Sequence, residues 1–149
     1  MARATDGKTG AARGWRGFFA FDAPALGYLV LIFYLGAVPG LPLPRSSVVP
    51  SDKIAHFFSF GLLVPLLLRL LSHEAPRLRR SSALGLAALI SSLLGALLEI
   101  YQMAFPYRSV EFDDWVADTL GAGVAMLVLA GLLRCGSGVT RWLGYPGRP

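Results

Sequence analysis

Residues 81–102 read SSALGLAALISSLLGALLEIYQ, and this stretch decides the fold. Its first 18 positions carry no charge, and the run then admits Glu99 and Gln102. About 20 mostly apolar residues, rising 1.5 Å each, cross roughly 30 Å of hydrocarbon. The stretch is therefore predicted to be a membrane-spanning helix whose far end turns polar. Working outward, Ala23 to Pro44 is uncharged for 22 positions, Ile54 to Leu68 for 15 and Thr119 to Leu133 for 15. The second and fourth segments reach spanning length only by admitting His56 and Asp118.

Composition agrees with this reading. The chain has 149 residues, of which 54% are hydrophobic and 15% charged, with a mean hydropathy of +0.56. A soluble domain carries about a quarter charged residues. There is room for one domain. The apolar content excludes disorder, and the single cysteine, Cys135, excludes a disulfide-stapled fold. A net charge of +5 suits nucleic acid only when the basic residues gather on one solvated face. Here they are strung between apolar runs, so the expected partners are membrane lipids and no nucleic acid. The predicted fold class is all-α, an integral membrane bundle of four transmembrane helices. Nothing in the sequence signals an oligomeric state.

Lys and Arg set the orientation. Four precede the first segment (Arg3, Lys8, Arg13, Arg16), four lie at Arg69, Arg77, Arg79 and Arg80, and three follow the fourth segment (Arg134, Arg141, Arg148). The other two connections hold three: Arg45, Lys53 and Arg108. By the positive-inside rule, this asymmetry predicts both termini in the cytoplasm. No A-x-A-like cleavage site follows the first run, so it is expected to stay as a helix, with Pro24 in its first turn and Pro39-Gly40 ending it. Trp15, Phe18, Phe19, Trp142 and Tyr145 suit interfacial belts. Residues 1–20 are expected to form a basic cytoplasmic tail, 21–135 the membrane domain and 136–149 a short cytoplasmic tail.

In an up-and-down bundle, the start of helix two, the end of helix three and the start of helix four share one membrane face, here the extracytoplasmic one. Six of the nine acidic residues fall there (Asp52, Glu99, Glu111, Asp113, Asp114, Asp118), with Lys53, His56, Gln102 and Arg108. A charge at depth in lipid costs at least about 2.5–3.5 kcal/mol, so these groups are expected to face a protein interior or a wet cavity. His56, Glu99, Gln102, Arg108, Asp114 and Asp118 are predicted to converge in one pocket, supported by Asp52 and Lys53. On helix three, Ser81, Gly85, Ala88, Ser92, Gly95, Glu99 and Gln102 form a stripe predicted to be the contact face, with Leu84 and Leu98 on other faces. Asp114, Asp118, Gly121 and Ala125 form the matching stripe on helix four. Such small residues let membrane helices approach closely.

Glu99 lies seven residues before Pro106, about 10 Å below that helix end if the helix runs to the proline. A carboxylate in an apolar helix must be paired or neutralised, and Arg108, beyond Pro106, is expected to fold back over it. Asp52 suits the N-cap of helix two, and Asp113 or Asp114 that of helix four. His73 and Glu74 are expected in a solvated inner loop, and Cys135 is expected to be passive. No HExxH, G-x-S-x-G or phosphate-cradling glycine loop occurs, so no metal, cofactor or nucleophile is assigned.

The ordered polar residues carry a resemblance. Asp52-Lys53-x-x-His56-Phe57 followed by Phe60, then Glu99-x-x-Gln102 with Phe105-Pro106-x-Arg108, then Asp114-x-x-x-Asp118-x-x-Gly121, resemble three successive motifs of the VanZ-like membrane proteins. Ile32-Phe33-Tyr34-Leu35 with Pro39 and Leu41-Pro42 is similar to the lead-in on helix one, so the likeness runs from about Tyr28 to Gly123. Gly36-Ala37 departs from a family serine, and Asp118 stands where asparagine is frequent. The family is named for a teicoplanin-resistance protein. The resemblance thus implies a small multi-pass protein of the bacterial inner membrane that acts on the outer cell envelope in the manner of antibiotic resistance.

Three functions are compatible with such residues. The pocket can engage a lipid-linked or peptidoglycan-related ligand, with Arg108 and Lys53 holding an anionic headgroup. It can belong to an intramembrane enzyme acting on a lipid-linked phosphate or ester, with His56 or Glu99 as general base. It can serve a small proton-coupled transporter, with Glu99 and Asp118 as relay carboxylates. The cytoplasmic half shows no polar path, which disfavours the third, and no nucleophile supports the second. The sequence favours the first.

Overall fold

The computed structural model describes residues 17–39, 51–135, 138 and 142. The basic cluster before residue 17, Arg45, Leu41-Pro42 and most of the C-terminal tail, with Trp15, Tyr145, Arg141 and Arg148, lie outside the described residues.

The regular structure among these residues is helical, with no strand among them. A π-helical turn, Phe18–Asp22, leads into α1, Ala23–Ala37; α2 spans Ser51–Glu74, α3 Arg80–Gln102 and α4 Phe112–Arg134. Pro24 sits in the first turn of α1, directly after the π-helical turn, and its missing N–H falls where the helical hydrogen-bond pattern changes. Val38 turns extended, at φ −71° and ψ 125°, as the residue before a proline does, and α1 stops there. The other helices outrun their uncharged segments because Asp52, Glu99, Asp114 and Asp118 turn inward. All four spans are long and apolar enough to cross a membrane.

The core is built from α2, α3 and α4. Phe60, Leu63, Val64 and Leu68 of α2 are buried against Ala83, Leu84 and Ala87 of α3 and Ala122 of α4. The tightest seam joins α2 to α4, where Gly61 and Gly121 remove the side chains that would hold the backbones apart. Ser91 of α3 donates its hydroxyl to the Phe60 carbonyl at 2.8 Å. Pro65 sits inside α2; its missing N–H frees a carbonyl one turn earlier, which membrane helices tolerate when neighbours cover it. α1 is the least enclosed of the four and buries only Ala25 and Ile32. Val30, Phe58, Leu62, Leu93 and Leu127 point outward, where a bilayer's acyl chains would receive them.

The contact face of α3 differs from the expected stripe. Gly95, Glu99 and Gln102 are buried as expected, but the inner half of the face is Ala83, Leu84, Ala87 and Ser91. Ser81 and Gly85 are exposed, and Leu84 and Leu98 belong to the core. A stripe stepping four, three, four, three repeats every 3.5 residues, whereas a straight helix turns every 3.6 and drifts about 20° per heptad. Over the three heptads from Ser81 to Gln102, that drift carries the first stripe residues out of the interface. On α4 the expected stripe holds, with Asp114, Asp118 and Gly121 buried.

Candidate functional site

The first turns of α2 and α4 and the last turn of α3 meet at one end of the bundle, and a non-helical connection, residues 103–111, folds over them. His56 lies one turn after Asp52 on α2, and Asp118 one turn after Asp114 on α4, so each helix presents two polar groups on one face. His56 Nδ1 lies 2.9 Å from Asp118 Oδ1, and its Nε2 is 3.9 Å from Asp114 Oδ2. Lys53 Nζ donates to Asp114 Oδ1 and to Glu111 Oε2, each at 2.9 Å. The backbone N–H of Glu111 donates to Glu99 Oε2 at 3.2 Å. One ligand-type atom from each of His56, Glu99 and Asp118 lies within 4.8 Å of the others. His56, Glu99, Asp114 and Asp118, four of the six predicted residues, thus form one connected cluster.

Gln102 and Arg108 are placed differently. Gln102 Nε2 donates to the Gly36 carbonyl at 3.3 Å. Arg108 Nη2 donates to Leu35 O at 3.2 Å and Val38 O at 2.6 Å, and Tyr107 donates its hydroxyl to Ala37 O at 2.8 Å. The last carbonyls of a helix have no partner within it, and these three side chains cap the end of α1. Arg108 therefore does not fold back onto Glu99 as expected; the exposed carbonyls of α1 take its donors instead. Glu99 is also nearer the helix end than expected. α3 stops at Gln102 rather than running to Pro106, so Glu99 sits in the last turn, and its burial comes from the overlying connection. Neither Asp52, Asp113 nor Asp114 is an N-cap: α2 already includes Ser51, and Glu111 holds the N-cap position of α4 without a side-chain capping bond.

Beside the cluster lies a cleft of about 230 Å³ between α1, α2 and α3. Asp52, His56, Gln102 and Arg108 are its polar groups, and Ile32, Leu35, Phe60 and Leu98 form its apolar wall. His56 belongs to both features, as the partition between the cleft and the buried carboxylates. Ser59, one turn after His56, also lines the cleft; the sequence gives it and Tyr107 no role, and places Glu111 on this face without a partner. Nothing in the sequence marks a loop residue that folds back onto helix ends.

At the opposite end, His73 and Glu74 are not a solvated loop pair. They end α2, where the His73 ring stacks on Phe21 with centroids 4.8 Å apart and Nδ1 lies 3.4 Å from Asp22. The Arg69 guanidinium covers the Phe21 and Trp142 rings at 4.9 and 4.8 Å. The π-helical turn, which no feature of the sequence marks, brings Phe21 and Asp22 there. Cys135 is a free, exposed thiol at the end of α4.

The fold and this site define a polytopic membrane protein with a polar centre at one end of a four-helix bundle. The family model VanZ/LLP1 matches residues 26–134, and the chain belongs to that family. An uncharacterised protein of Schizosaccharomyces pombe is 35% identical over 101 residues, covering 67% of this chain and 56% of the relative. The match thus spans little more than half the relative's length, and that relative is a yeast protein. No solved structure matches.

Proposed function

We propose that this chain is a bacterial inner-membrane protein, with both termini in the cytoplasm, that engages a lipid-linked or peptidoglycan-related ligand at the outer leaflet. Through that ligand it modulates the cell envelope, with glycopeptide susceptibility as the readout. The observation that carries this reading is the two-sided cleft. Its apolar wall suits an acyl or prenyl chain, and its polar groups, Asp52, His56, Gln102 and Arg108, gather where a headgroup would sit. Ligand sites are mostly apolar with a few convergent polar groups, commonly about 300–1,000 Å³; this cleft holds the headgroup-proximal part of such a molecule. The basic asymmetry of the sequence supports the orientation. Lys53 is spent on Glu111 and Asp114, whereas Arg108, tied to the α1 carbonyls through Nη2, lines the cleft with its Nε unpaired.

Native mass spectrometry of the detergent-purified chain with a polyprenyl phosphate tests this reading. Retention of one lipid is expected, with inorganic phosphate failing to compete; Ala55 also lines the cleft, and Ala55→Trp, which fills it, should abolish retention. Equal retention by wild type and Ala55→Trp overturns the reading.

A second reading rests on His56. A cleft-lining imidazole hydrogen-bonded to a buried carboxylate has the arrangement of an oriented general base, and Ser59 lies one turn away. Release of phosphate or a shortened lipid from the same probe would favour an enzyme.

A further inference from the structure

We propose that His56, Glu99 and Asp118 form a site for one first-row divalent transition-metal cation, Zn²⁺ or Mn²⁺. This inference does not depend on what the cleft binds.

Burial and unused valence point to a ligand. Glu99 is 5% exposed and Asp118 0%, yet Glu99 Oε1 and Asp118 Oδ2 are buried with no hydrogen-bond partner. A buried carboxylate oxygen left unpaired costs several kcal/mol in a medium of low dielectric. The neighbouring cations are committed elsewhere, Lys53 to Glu111 and Asp114 and Arg108 to the carbonyls of α1. Two carboxylates and a neutral imidazole carry a charge of −2, which one divalent cation cancels.

The geometry fits as well. Ligand atoms about 2.0–2.2 Å from one metal lie roughly 3 to 3.5 Å from each other. The 2.9 Å separation of His56 Nδ1 and Asp118 Oδ1 is already such an edge, with the unpaired Oδ2 able to complete a bidentate carboxylate, and the other separations, at most 4.8 Å, are within reach of side-chain torsions. Metal-bound histidines present their second nitrogen to a carboxylate; here Asp114 faces His56 Nε2 and is itself held by Lys53. The Glu111 amide fixes one oxygen of Glu99 and leaves the other free. The imidazole nitrogen suits Zn²⁺ and the two carboxylates also admit Mn²⁺, whereas Mg²⁺ and Ca²⁺ prefer all-oxygen shells. Three protein ligands leave a coordination position for water or an anionic group.

The two other candidate ligand groups among the described residues differ. In Asp52, Glu111 and Asp114, the last two already hold the Lys53 ammonium. Asp22, His73 and Glu74 are partly exposed.

The full chain, purified in detergent, stripped with a chelator and desalted, is titrated with ZnCl₂ and separately with MnCl₂. Retention of one equivalent of at least one ion is expected, together with a rise in Tm. Glu99→Gln and Asp118→Asn should each weaken binding at least tenfold, and Glu74→Gln, at the opposite end, should not. Wild type retaining no stoichiometric metal, or both site variants retaining it undiminished, overturns the proposal. Wild-type chain loaded with Co²⁺ needs no variant: d–d bands of a nitrogen- and oxygen-ligated ion are expected, and the spectrum of aqueous Co²⁺ overturns the site. Polyprenyl phosphate binding in chelator separates this outcome from that of the cleft.

Discussion

Gly121 of α4 lies so close to Phe57 of α2 that a methyl group at Gly121 would overlap the Phe57 carbonyl oxygen. One turn along α2, a methyl group at Gly61 would stand 3.2 Å from the Gly121 carbonyl oxygen. This double approach fixes the separation of α2 and α4. His56 immediately precedes Phe57, and Asp118 lies one turn before Gly121, so the same seam sets the 2.9 Å His56–Asp118 contact.

Gly121→Ala should therefore destabilise the bundle by about 1–3 kcal/mol, because backbone, not a flexible side chain, must yield. Gly123→Ala, where an added methyl meets nothing within 4 Å, should be neutral. Thermal unfolding of both variants in detergent checks the contrast; equal Tm values would remove the seam from the account.

Arg108 holds α1 rather than the acidic cluster. Arg108→Ala should loosen the least enclosed helix, at a cost of about 1–2 kcal/mol for lost charge-assisted bonds to Leu35 and Val38 carbonyls. Tyr107→Phe should have a smaller effect in the same direction. Protease cleavage near Val38 should accelerate in Arg108→Ala, and unchanged cleavage rates would show that the clamp is not needed.

Cys135 reports orientation. With cytoplasmic termini, this exposed thiol should resist a membrane-impermeant maleimide in intact cells and react after permeabilisation. Labelling of intact cells would invert the bundle and place the polar end inside.

Glu99→Gln should insert and fold nearly as wild type, since an amide oxygen can still accept the Glu111 N–H. It should nonetheless abolish any effect of expression on teicoplanin susceptibility. If Glu99→Gln keeps that effect while Leu63→Ala, which hollows the core, removes it, the polar cluster serves only packing.

The sequence by itself determined the four spans and the polar end. Lipid offers no partner to a charge or an unpaired backbone group, so the uncharged runs and the positions of His56, Glu99, Asp114 and Asp118 leave few alternatives. The i, i+4 spacings of Asp52 with His56 and Asp114 with Asp118 placed those pairs on shared faces before any coordinates. Tertiary structure alone decided which face of α3 is inside. Leucine is as comfortable against acyl chains as in a core, so hydropathy could not tell buried Leu84 and Leu98 from exposed Leu89 and Leu93. It also decided the partner of Arg108, because the carbonyls of Leu35 and Val38 carry no residue-specific signature. The unpaired oxygens of Glu99 and Asp118 emerge only once the helices are rotated, crossed and capped by the connection that folds over them.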